Sequence, residues 1–190
     1  MPMPVKVHST EIPEVVVYET GIARDDRGYF QETYSTPMLA KAGLNASFVQ
    51  DNVSKSKRGT VRGLHYQLAP FATGKLVRTV RGSIFDVAVD VRRGSPTFGK
   101  WVGRTLTEEN HLALWIPEGF AHGFMALEDE TLVLYKCTVI HTPESERSLH
   151  HADPAIGIEW PMAPTLIAPK DAAAPMLAEA DYNFVYPGSP

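Results

Sequence analysis

Ile84-Phe85-Asp86-Val87-Ala88-Val89-Asp90-Val91 alternates residue by residue: Phe85, Val87, Val89 and Val91 point one way, Ile84, Asp86, Ala88 and Asp90 the other. Period two of this quality, sustained from Lys75 to Val91, predicts a β-strand with two distinct faces. Turn chemistry brackets it at Arg81-Gly82-Ser83 and Arg93-Gly94-Ser95-Pro96. The same signals recur at Thr107-Glu108-Glu109-Asn110, Pro117-Glu118-Gly119 and Leu127-Glu128-Asp129-Glu130. Many short strands at such spacing predict a mainly β protein, a sandwich or a barrel.

Upstream, Val15-Val16-Val17-Tyr18 and Phe30-Gln31-Glu32-Thr33-Tyr34 read as strands separated by the turn residues Arg24-Asp25-Asp26-Arg27-Gly28. Thr36 to Gly43 carries a candidate cap, a proline at the first helical position and a closing glycine, which predicts one short helix. Downstream, Lys170 to Ala180 is alanine-rich and reads as helical, with a frayed end at Pro187-Gly188-Ser189-Pro190. Neither an internal repeat nor a linker divides the 190 residues, so one domain with a sizeable core is expected over 1–190.

A formal charge of −4 argues against broad nucleic-acid binding, leaving anionic ligands to local basic clusters. Cys137 is the only cysteine, which excludes an intrachain disulfide and a multi-thiolate metal site and favours a reducing compartment. The amino terminus lacks the apolar core of a signal peptide, and no segment approaches bilayer-spanning length. A cytoplasmic protein with no membrane partner is the expectation.

The densest run of hydrogen-bonding and ionisable side chains is Gln50 to Gln67, and it is read as one wall of an active site. Near its end His65 lies between Leu64 and Tyr66, where an imidazole on a cavity-lining sheet can move protons. For a single histidine judged alone, a buried side chain that only satisfies hydrogen bonds is the stronger reading. Gly59 followed by five residues and His65, together with Pro117-Glu118-Gly119-Phe120-Ala121-His122, resembles the two signature motifs of the cupin barrel. Metal-binding cupins generally add a second histidine two residues after the first and a carboxylate soon afterwards. Here that position is Gln67, and no acidic residue follows before Asp86. The fold pattern survives; the metal-ligand pattern does not.

A barrel keeping His65 without a metal set can use it directly as a general base. With no Gly-x-Ser-x-Gly elbow and no nucleophile context at Cys137, proton abstraction beside a carbonyl is the better class. It needs a base, an acid across the substrate and a cation for the enolate oxygen. Tyr135 shares a strand face with Val133 and Cys137 and can enter the barrel, although periodicity alone favours a core tyrosine. Lys75 opens a strand after Gly74 and could reach inward, although a lone lysine is more often solvated.

Whole motifs then match. Phe48-Val49-Gln50-Asp51-Asn52, Arg62-Gly63-Leu64-His65-Tyr66-Gln67, Gly74-Lys75-Leu76-Val77-Arg78, Phe85-Asp86-Val87-Ala88-Val89-Asp90, Ser95-Pro96-Thr97-Phe98-Gly99, Trp115 to Phe124 and Asp153 to Pro161 resemble the dTDP-4-dehydrorhamnose 3,5-epimerase family. The match runs in order from about Ile12 to Leu177. The resemblance implies a cupin-type (jelly-roll) β-barrel with short flanking helices and a helical tail over about 169–190. It implies a homodimer whose amino-terminal strands are exchanged between partners, without metal or redox cofactor, acting on a nucleotide sugar.

By the same resemblance His65 is the base, Asp171 orients and polarises it, Tyr135 is the opposing acid and Lys75 stabilises the enolate at the C4 oxygen. Arg27 and Arg62 bind the diphosphate, and Gln50, Asn52, Phe30, Glu32 and His122 shape the sugar pocket, with Lys170 also at the substrate. The chemistry is coherent, because a 4-keto group acidifies the hydrogens at both C3 and C5. The implied function is inversion of both carbons in a nucleotide-linked 4-keto-6-deoxyhexose. Inversion at one carbon only, or a non-catalytic or ketoisomerase-type cupin, are the alternatives.

Two departures stand out. Ala23 and the run Val139-Ile140-His141 replace aromatic residues that the family often places at the nucleobase, which leads us to expect an altered nucleotide preference. Arg62 and His65 fall on opposite faces of an ideal strand, so Gly63 is expected to mark a bulge or bend.

Overall fold

The structure, a computed structural model, describes residues 4–187. In chain order the strands are β1 (Val5–His8), β2 (Val16–Thr20), β3 (Ile22–Asp25), β4 (Gly28–Gln31), β5 (Gln50–Ser56), β6 (Thr60–Gln67), β7 (Lys75–Arg81) and β8 (Ser83–Asp90). They continue with β9 (Trp101–Thr107), β10 (Leu112–Ile116), β11 (Phe120–Ala126), β12 (Thr131–Cys137), β13 (Glu146–Ser148) and β14 (Leu166–Ile167). Helices are short, α1 (Thr36–Lys41) and α2 (Pro169–Ala172). One antiparallel sheet has the order β1-β2-β10-β7-β12-β5; the other runs β13-β6-β11-β8-β9, with β14 added parallel to β6.

The alternation in β8 decides the layering. Its Ile84 and Ala88 join Val77, Leu114, Ile116 and Val133 from the first sheet and Val102, Leu106, Phe120 and Phe124 from the second, filling the space between the sheets. Its Val87 and Val89, followed by Val91, face the other way and are covered by Leu149, Ile156, Leu177 and Phe184. Both faces are therefore buried, which explains why apolar residues occupy both faces of the strand. On the outer side of the first sheet, Met38 and Leu39 of α1 pack with Leu44 on Tyr18, Leu76 and Ala113. This helix forms where expected, with Pro37 in its first turn.

Two sequence-based expectations are corrected. The anticipated strand over 30–34 ends at Gln31 and pairs with β3 in a hairpin. The Asp25 carboxylate accepts the Arg27 backbone N–H at 2.9 Å, and Gly28 adopts φ 126°, so the turn narrows to Asp25–Gly28. The carboxyl-terminal tail is helical only over α2. Pro175 interrupts the alanine-rich run, and beyond it the chain makes a turn at 177–179 and continues without helix, laying Leu177, Tyr182 and Phe184 over the outer face of β8. The apolar area covered there outweighs the helix propensity of a few alanines. Gly188, Ser189 and Pro190, expected to be frayed, lie outside the described residues.

The expected irregularity at Gly63 is present. β6 and β11 pair His65 with His122 and Arg62 with Phe124, so three steps on β6 match two on β11. The peptide between Gly63 and Leu64 is cis, and Gly63 has φ 120°. A Cβ at Gly63 would stand 2.6 Å from the Gly123 Cα, which makes glycine obligatory at this crossing. The extra residue turns Arg62 onto the inward face with His65 while Leu64 and Tyr66 enter the outer core.

Candidate active site

One cavity of about 740 Å3 opens between the sheets. His65, Arg62 and His122 reach it from the second sheet, and Lys75, Tyr135, Gln50 and Asn52 from the first, so base-type and acid-type side chains stand on opposing walls. Lys170 and Asp171 enter from α2.

His65 Nε2 lies 2.8 Å from Asp171 Oδ1, and the Gly63 backbone N–H donates to Asp171 Oδ2 at 3.3 Å. Burial pushes the Asp171 carboxyl up, but the bonds from His65 and Gly63 and the charge of Lys170 outweigh it and leave the group below its ordinary value. An ionised carboxylate only accepts, so Nε2 carries a proton here, and in the neutral form of the ring the lone pair is on Nδ1. The carboxylate is buried while the imidazole remains 27% exposed, so one partner is fixed and the other is accessible.

Lys75 donates to the His65 carbonyl at 3.2 Å, and burial lowers its pKa against the opposing pull of Cys137, Asp86 and Glu146. Tyr135 packs on the inter-sheet core, and burial raises its phenol, which keeps it protonated at neutral pH. His122 Nε2 is 2.8 Å from the buried Asp86 Oδ1. Burial lowers the imidazole and raises the carboxyl, each partly offset by the other. Gln50 donates to Asn52 Oδ1 at 3.0 Å, and Asn52 donates to Cys137 Sγ at 3.6 Å.

Gln67 stands where a second metal-ligand histidine would stand in a metal-binding cupin. Its amide donates to the Phe71 carbonyl at 2.8 Å and accepts from the Thr142 backbone N–H at 2.6 Å. Its polar capacity is spent on stapling loops. Among the described residues no group of three or more His, Cys, Asp or Glu side chains is placed to hold a metal ion.

Arg27, Phe30 and Glu32 do not line this cavity. Arg27 sits on the exposed β3–β4 hairpin and pairs with Asp25 at 2.6 Å. Ala23 faces Phe30 across the same hairpin, and Ile140 is exposed beside the cavity residues Val139 and His141. Glu146 was not legible as a site residue. It lines the cavity through the pairing of β13 with β6 and belongs to no recognisable motif. Among the described residues no helix is long and apolar enough to cross a membrane.

A two-sheet β-barrel with a His–Asp pair facing a tyrosine and a half-buried lysine defines a cupin-type protein equipped for proton transfer beside a carbonyl. The family model for dTDP-4-dehydrorhamnose 3,5-epimerase matches residues 9–179. The chain belongs to that family. It is 50% identical over 177 residues to the dTDP-4-dehydrorhamnose 3,5-epimerase of Shigella flexneri, covering 93% of this chain and 98% of the relative. Its fold is similar to the Legionella pneumophila dTDP-6-deoxy-D-glucose-3,5-epimerase solved in complex with dTDP-4-keto-L-rhamnose, with a TM-score of 0.89, 46% identity and coverage of 93% and 95%. The Bacillus anthracis dTDP-4-dehydrorhamnose 3,5-epimerase, solved with TDP and PPi bound, gives a TM-score of 0.88, 40% identity and coverage of 90% and 99%.

Proposed function

We propose that this protein inverts C3 and C5 of dTDP-4-dehydro-6-deoxy-D-glucose, giving dTDP-4-dehydro-L-rhamnose. The observation that carries the reading is the placement of His65 and Tyr135 on opposing sheets of one cavity, with Lys75 lining the same cavity and donating to the His65 carbonyl. His65 Nδ1 takes the proton from C3, and the electron pair of the C–H bond moves onto the C4 oxygen as an enolate beside the Lys75 ammonium. Tyr135 then returns a proton to the other face and the carbonyl re-forms. This leaves His65 protonated and Tyr135 deprotonated; proton exchange of both with solvent resets the pair, and because the same carbonyl acidifies C5 the cycle repeats there without net oxidation or reduction. Asp171 holds the imidazole in the tautomer that leaves Nδ1 free. Arg62 and Lys170 face the diphosphate, and Gln50, Asn52 and His122 shape the sugar pocket.

The test is incubation with dTDP- and GDP-linked 4-keto-6-deoxyhexoses in D2O, followed by NMR at C3 and C5. Deuterium at both carbons of the dTDP sugar is expected. Label at one carbon would establish a single-site epimerase, and none a binding protein. Faster labelling of the GDP sugar would transfer the activity to another nucleotide.

Arg27, Phe30 and Glu32 lie outside their own chain's cavity, and the hairpin leaves Tyr29 52% and Phe30 68% exposed. Such an apolar tip suits a partner surface. We infer a homodimer in which this hairpin completes the partner's site, with Arg27 reaching the diphosphate there. Sedimentation velocity at micromolar concentration is expected to return twice the chain mass of 21.0 kDa. A single-chain mass that persists with full activity would overturn it.

A further inference from the structure

Glu146 joins three segments of chain around the cavity. On β13 it stands opposite Gln67 of β6, with Ser148 opposite His65. Its Oε1 accepts from Lys170 Nζ at 2.7 Å, and its Oε2 lies 2.5 Å from His141 Nε2. Burial alone would raise this carboxyl, but the bonds from Lys170 and His141 bring it down to about 2. The group is thus an anion throughout the neutral range.

Lys170 immediately precedes Asp171 on α2, a helix of four residues whose N-cap, Ala168, offers no side-chain cap. A single helical turn has little stability of its own, so its orientation depends on what its side chains grip. Consecutive helix residues project about 100° apart. Asp171 therefore points to His65 and Gly63, while Lys170 leaves in another direction and reaches Glu146. Two grips on adjacent residues stop α2 from rotating about its axis. The chain on either side is already held, by the pairing of β14 with β6 before α2 and by the His150 N–H to the Pro175 carbonyl at 2.9 Å after it, so the Lys170–Glu146 contact sets the aim of a turn whose position is fixed.

We propose that Glu146 is a positioning residue for proton transfer: by holding Lys170 it fixes α2 and so aims Asp171 at His65. The proposal rests on the reading of His65 as the base and Asp171 as its orienter. It differs from a simple counter-ion role at the diphosphate subsite, which would act on substrate affinity and leave the chemical step alone.

The experiment uses the full chain and compares Glu146→Gln, Lys170→Met and the double variant. Misaimed catalytic groups cost on the order of ten- to a hundredfold. Glu146→Gln is expected to lower kcat within that range, with exchange at C3 and C5 slowed alike and KM not raised. In the Lys170→Met background the further loss from Glu146→Gln should vanish, because the two residues act as one unit. An unchanged kcat with a shifted KM would establish the counter-ion role and overturn the proposal. Equal, additive losses in both backgrounds would also overturn it.

A second readout needs no substrate. The ring N–H proton of His65 held on Asp171 should give a downfield 1H NMR resonance that broadens or moves in Glu146→Gln. It should be largely recovered in Glu146→Asp, which keeps the charge. A resonance unaffected by Glu146→Gln would overturn the proposal. Should the wild-type protein fail to label any keto sugar, the functional reading falls while this resonance still tests the positioning role.

Discussion

His65→Ala is expected to abolish deuterium incorporation at C3 and C5 together. A positioned general base contributes roughly 10²- to 10⁴-fold, and a single base serving both carbons puts both exchanges in the same loss. The substitution should leave the barrel standing, because Leu64 and Tyr66 anchor this part of β6 in the outer core and the His65 ring lies on the cavity side. Its stability cost comes from Asp171, whose buried carboxylate loses its main partner; about 1 to 3 kcal/mol is the usual penalty. NMR in D2O alongside thermal unfolding separates the two effects. Retained labelling at either carbon in a folded His65→Ala protein would mean that another group is the base there.

Tyr135→Phe should behave differently. The phenol is held protonated by burial, so it stands ready as an acid at neutral pH, and phenylalanine preserves its packing on the inter-sheet core. His65 remains able to remove and return protons on its own face. Exchange should therefore persist while inversion falls by about 10²-fold or more. The check is a double measurement on one sample, isotope content by mass spectrometry and configuration by NMR coupling constants. Inversion at the wild-type rate would remove Tyr135 from the acid role.

Much of the site could be read along the chain because its residues sit in strands whose period is visible locally. The alternation around Val133, Tyr135 and Cys137 allows the phenol to enter the barrel, whereas Lys75 at the head of β7 stood out only through the family resemblance. Asp171 was reachable only through resemblance to a family, since nothing local marks an aspartate 106 residues after His65 as its partner. Glu146 escaped both routes. Its role depends on the pairing of β13 with β6 and on where α2 delivers Lys170, and neither is encoded in neighbouring residues.

The misread tail has a tertiary cause. The tail after α2 has helix-forming composition, yet it is non-helical because the outer face of β8 needs covering. Arg27, Phe30 and Glu32 lie outside their own chain's cavity, which is where an exchange of amino-terminal strands between partners would leave them.

The amino-acid sequence by itself determined the β class, the two-faced central strand, the short first helix and the inward parity of Tyr135, since each follows from local period and turn chemistry. Only the tertiary structure decided how Arg62 joins His65 on one face, because the extra residue at Gly63 is defined by its register against β11. It alone also decided which carboxylate serves which cation, because those pairs form between segments far apart in the chain.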